Sequence, residues 1–147
     1  MPRATLFLDS SALVAGIISS AGAARALLLL AEAGEIAIIV SEQVIAETER
    51  AVARKVPQAL PDLRQAIRQT GLHIVRDPSP EQVSARQHYI AHPADVPILL
   101  AAMEASVDYL VTLNRKHFLD DPQVAASSGL RMGTPGDALA WVRGRIG

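Results

Sequence analysis

A chain of 147 residues has room for one domain with a real buried core, and its lack of cysteine excludes disulfides, thiolate zinc sites and a cysteine nucleophile. Half of the residues are hydrophobic but only 3% are aromatic, so the core must come from Leu, Ile, Val and Ala, which suits helices on a parallel sheet. A net charge of −1 gives no global pull toward nucleic acid and leaves polyanion binding to a local patch.

In chain order, Ala4 to Asp9 (ATLFLD) is a short apolar run, too brief for a signal peptide, that stops on a carboxylate. Ser10 to Gly16 and Gly22 to Ala33 read as helices, the second closed by Gly34. Arg25 and Glu32 interrupt that second stretch, so it cannot span a bilayer, and a soluble, cytoplasmic protein is expected. Ile36 to Val40 (IAIIV) is a fully apolar strand, and Ser41 is an N-cap for a helix to about Lys55. Pro57 and Pro61 punctuate the next turn before a helix over Asp62 to Thr70, closed by Gly71. His73 to Val75 is a short strand, Pro80 to Ile90 reads as helix, and His92-Pro93 breaks it. Asp95 caps a helix through Ser106, with Pro97 tolerated in its first turn. Tyr109 to Thr112 is a strand, Leu130 to Met132 a last edge strand, and Asp137 to Arg145 a terminal helix.

This alternation predicts one domain over 1–147, a three-layer α/β/α sandwich around a mostly parallel sheet of four to five strands. Ligands in such folds sit beyond the carboxyl ends of the strands, at a switch point. Asp9 ends the first strand, Asn114 follows the Tyr109 strand, Asp95 opens the helix leading into that strand, and Glu47 lies two turns into the helix after the second strand. Four oxygen-bearing side chains from four segments can therefore converge. Carboxylates held together repel one another and persist around a hard cation, for which oxygen ligands select Mg²⁺ or Mn²⁺.

The order LFLDSSALV, SEQVIAETERAV and ADVPILLAAMEASVDYLVTLNRKHF resembles the PIN domain, particularly its VapC-like bacterial toxin branch, from Leu6 to about Leu139. The resemblance implies a Mg²⁺-dependent ribonuclease whose three acidic positions fall on Asp9, Glu47 and Asp95. It also implies an RNA substrate and an antitoxin partner. The family commonly carries Asp at a fourth position that is Asn114 here, which offers a carbonyl oxygen without charge. Helical periodicity does not choose between Glu47 and Glu49, which flank the apolar face centred on Thr48; the resemblance selects Glu47.

Asp108 reads as a turn-fixing residue, and Asp120 and Asp121 as an acidic turn before Pro122. The four histidines lack HxH or HExxH spacing, which argues against zinc, although His117 belongs to a polar turn with Asn114, Arg115 and Lys116 at the expected mouth. Arg50, Arg54, Lys55, Arg64 and Arg68 form polar helix faces that can grip phosphates. Asn114 keeps open a second reading, a weak or inactive PIN-like module that binds RNA or protein. An aspartyl-phosphate phosphatase would need Asp where Ser11 stands. Leu-rich helices leave room for an apolar seam and hence a homodimer.

Overall fold

The computed structural model describes residues 2–146. Strands β1 (Ala4–Leu8), β2 (Ile36–Ser41), β3 (His73–Val75), β4 (Tyr109–Val111) and β5 (Met132–Gly133) form one parallel sheet in the order β3-β2-β1-β4-β5. Helices cover both faces. On one side α1 (Ser10–Ile18), α2 (Ala23–Glu32), α3 (Glu42–Lys55), α4 (Leu60–Thr70) and α8 (Pro135–Ile146) pack on one another. On the other lie α5 (Pro80–Ala85), α6 (Val96–Glu104) and α7 (Pro122–Ser128). The chain winds outward from β1 to β3, then returns to the other side of β1 as β4. The switch point of the sheet is therefore the gap between β1 and β4.

The central strands carry continuous apolar runs because both their faces are covered. Leu6, Phe7 and Leu8 are fully buried, as are Leu110 and Val111 beside them. Close approach of α1 to α2 depends on Gly16, where a Cβ would stand 2.8 Å from Leu28 Cδ1. Among the described residues no single helix is long and apolar enough to cross a membrane.

Several boundaries differ from the sequence expectation for local reasons. Helix α4 begins at Leu60, because Pro61 sits in its first turn instead of preceding it. The segment expected to be helical over 80–90 divides into α5 and a 3₁₀ turn, Gln87–Tyr89, because α5 buries no residue and has nothing to extend it. The last strand lies at Met132–Gly133, one step beyond the expected run, and α8 starts at Pro135, where Thr134 and Asp137 exchange bonds between side chain and backbone N–H.

Candidate functional site

Asp9 sits immediately after β1, and its N–H reaches Val111 O at 3.1 Å, so it lies in the crevice at the switch point. It is 4% exposed. One carboxylate oxygen, Oδ1, accepts from Ser11 Oγ (2.7 Å) and from the Ala12 N–H (3.0 Å), which makes Asp9 the N-cap of α1. The other, Oδ2, accepts from Thr112 Oγ1 at 2.5 Å. Capping and a pocket-facing position are thus combined in one side chain.

Ser10, the next residue, donates to Glu47 Oε1 at 2.9 Å and ties α3 to the end of β1. Glu47 Oε2 accepts from Gln43 one helical turn earlier (3.0 Å), and the same Gln43 amide donates to Ala94 O at 2.9 Å. Gln43 therefore bridges Glu47 to the residue preceding Asp95. Its only signal in the sequence is the i, i+4 spacing to Glu47. Glu49 is exposed on the far side of α3.

Asp95 departs from its expected local role. It occupies the N-cap position of α6, but its side chain makes no capping bond, because the residue ends a 3₁₀ turn, Pro93–Asp95, in helical backbone geometry. An N-cap ordinarily needs an extended residue to bring its oxygen back to the helix amides. The freed carboxylate turns toward His117 Nδ1, 2.7 Å away, and His92 Nδ1, 3.6 Å away.

Asn114 stands beside the same histidine. Its Oδ1 accepts the His117 N–H at 3.1 Å and caps a π-helical turn, Arg115–Leu119, while its Nδ2 lies 2.9 Å from His117 Nδ1. Asp108 accepts from Thr5 N and Oγ1, and Asp121 caps α7, so both are occupied structurally, as their turn positions suggested.

The electrostatics show a strained acidic site. Burial pushes the Asp9 carboxyl above its usual value; bonds from Ser11, Thr112 and Ala12 pull it back in part, and the charge of Asp95 raises it. Asp95 is also raised, first by burial and also by Glu47, against the lowering effect of His117 and His92. Among the described residues no Lys or Arg pairs with any of the three; the basic groups near Asp95 are the imidazoles of His117 and His92. An oxygen-rich crevice whose two aspartates are pushed up chiefly by burial, with no lysine or arginine paired to them, is a fit for a divalent cation. Asp9, Glu47 and Asp95 do not close to the spacing of a tight ligand set. Among the described residues, the one group of three His or acidic residues with all donor atoms within 4.8 Å is His92, Asp95 and His117.

Thr112 ends an apolar strand and carries no signal of a site in the sequence. It is fully buried, donates to Asp9 and accepts from the Asn114 N–H at 2.9 Å. Thr112→Val should destabilise the protein by about 1–3 kcal/mol through the stranded amide and carboxylate. The loss should be larger at neutral than at mildly acidic pH, since the hydroxyl favours the charged form of Asp9. Urea unfolding at two pH values measures it; equal midpoints for variant and wild type would remove Thr112 from the site.

A family model described as PIN domain matches residues 5–116. No curated protein matches the chain. Among solved structures, PAE2754 from Pyrobaculum aerophilum is similar with a TM-score of 0.66 at 15% identity, over 96% of each chain. VapBC2 from Rickettsia felis, bound to a DNA fragment from its promoter, is similar with a TM-score of 0.63 at 21% identity, covering 88% of this chain and 98% of that one. At such identities the likeness is one of fold.

Proposed function

The chain belongs to the PIN domain family, whose members are generally nucleases, and from that premise we propose that it is a divalent-metal-dependent endoribonuclease, the toxin of a toxin–antitoxin pair. What supports this reading is that Asp9, Glu47 and Asp95 lie near enough at the β1/β4 switch point for their charges to interact, short of a closed ligand set, with no Lys or Arg to neutralise them. These three carboxylates would hold Mg²⁺ or Mn²⁺. Asn114 would add a neutral oxygen, since its Oδ1 has a second lone pair beyond the one given to His117 N–H. A bound cation supplies Lewis acidity toward water and charge to offset the oxygen that leaves phosphorus. The protein's own part is placement. Ser10 and Gln43 fix Glu47, Ser11 and Thr112 fix Asp9, and exposed Arg115 and Lys116 stand on the adjoining turn where RNA phosphates would lie.

An antitoxin partner is supported by the fold likeness to a VapBC assembly. A homodimer is supported by an apolar groove between α2 and α8, where Leu29 and Ile146 are half exposed. Both belong to the proposal.

The test is cleavage of a mixed-sequence RNA with Mg²⁺ or Mn²⁺ by wild type, Glu47→Gln and Asn114→Asp. The proposal expects cutting by wild type and a loss on the order of a hundredfold or more in Glu47→Gln. Equal rates in these two would sink the assignment. The second reading, a binding module without turnover, has Asn114 as its motive; it is favoured if wild type is inert and Asn114→Asp cuts.

A further inference from the structure

We propose that His92, Asp95 and His117 form a nitrogen-containing cation site at the rim of the acidic crevice, selective for Zn²⁺, Co²⁺ or Mn²⁺ over Mg²⁺. The inference rests on the reading of Asp95 as a metal-facing carboxylate and is independent of whether RNA is cut.

The two rings lie nearly parallel, 17° apart with centroids 4.2 Å from one another, and both present Nδ1 to Asp95 Oδ2. Two ligands on a tetrahedral ion with bonds near 2.1 Å stand about 3.4 Å apart. The distances here, 2.7 Å and 3.6 Å, bracket that spacing. His92 is half exposed and His117 partly so, so the rings can turn out of their parallel stack, as sharing one ion requires, without disturbing the core.

A second observation concerns the face of His117. The His117 N–H fixes Asn114 Oδ1 as acceptor, which turns the Asn114 NH₂ toward Nδ1 and favours a lone pair there. That lone pair also confronts the Asp95 carboxylate at 2.7 Å. At 2.7 Å the two atoms leave no room for a metal between them and are held together by a shared proton; a metal ion lying beside both would take the proton's place. Imidazole nitrogen binds borderline transition ions far better than Mg²⁺, which prefers oxygen and retains its waters.

These ligands come from the turn before α6 and the turn after β4, 25 residues apart in sequence. No spacing motif registers them; the fold alone joins them. Asp95 belongs to both this trio and the carboxylate set, so the metal preference of the crevice becomes a property of two histidines outside the three acidic positions.

The experiment is a Co²⁺ titration of metal-free protein followed by visible absorption, with Zn²⁺ and Mg²⁺ as competitors. Wild type should give bands of nitrogen-ligated Co²⁺, displaced by Zn²⁺ and resistant to excess Mg²⁺. His92→Ala and His117→Ala should each weaken binding about tenfold or more. The bands should survive in Glu49→Gln, an exposed carboxylate on the far side of α3, and circular dichroism should report an intact fold for each variant. The inference is overturned if wild type binds no Co²⁺, which would leave proton sharing as the role of the His–Asp pair. It is equally overturned if both histidine variants bind Co²⁺ as wild type does, which would place the ion among oxygen ligands and leave the nuclease reading standing. The nuclease reading fails on a separate result, undiminished RNA cleavage by Glu47→Gln.

Discussion

Asp9→Asn should reduce metal-dependent RNA cleavage by about a thousandfold, the scale of losing one preorganised charge-stabilising group, and should raise the stability of the metal-free protein at neutral pH. Both effects come from one buried carboxylate. Its carboxyl in the folded chain is pushed above the ordinary carboxylate range, chiefly because it is buried. Between the ordinary value and that raised one the native state holds more protons than the unfolded chain, so stability falls as pH rises through the window and stays lower above it. Asparagine keeps an acceptor for the Ala12 N–H and carries no charge to desolvate, so the pH profile of the variant should be flatter. Saturating Mn²⁺ should reverse the order, because only the wild type gains fully from ligand binding. Thermal unfolding across pH with and without Mn²⁺, alongside cleavage assays, reads all three effects. A variant that is less stable than wild type without metal, and that still cuts RNA, would show Asp9 to be merely a helix cap.

Phe7→Ala should cost about 3–5 kcal/mol, the range for deleting a large buried aromatic, out of a total that for such domains is about 5–15 kcal/mol. Phe7 is one of only two phenylalanines in the chain and is fully buried in the central strand. It pairs with Ile39 on one side and Leu110 on the other. A core of branched aliphatics has few large groups able to shift into the cavity. The change is also two residues ahead of Asp9, so β1 would lose definition where it delivers the site. The urea midpoint should drop sharply, and cleavage by the folded fraction should fall beyond what the folded population accounts for. A loss under about 1 kcal/mol would mean the sheet repacks freely around β1.

The elements that read clearly in the sequence are those whose signal is local. Continuous apolar runs mark β1 and β2, and Ser41 announces α3 by a side chain that does cap it, at 3.3 Å from the Val44 N–H. Asp9 at the end of its strand is equally visible. Long-range contacts hide the rest. Periodicity places Glu47 and Glu49 symmetrically about Thr48; the resemblance selects Glu47, and the approach of Ser10 from another segment is the contact that sets it apart. Asp95 looked like a cap because a carboxylate before a helix usually is one; the 3₁₀ turn at Pro93 sets its backbone otherwise. The pairing of His92 with His117 leaves no trace in spacing, because it is made by the return of the chain across the sheet.

Gln43 gives the crevice an unusual mechanical character. Asp9 and Thr112 hang from neighbouring central strands and share the stiffness of the sheet, whereas Glu47 and Asp95 belong to opposite helical layers. A single neutral carboxamide spans those layers, from Glu47 on one side to the carbonyl of Ala94 on the other. The crevice thus takes its floor from the sheet and its two sides from different layers, tied across the opening by that amide.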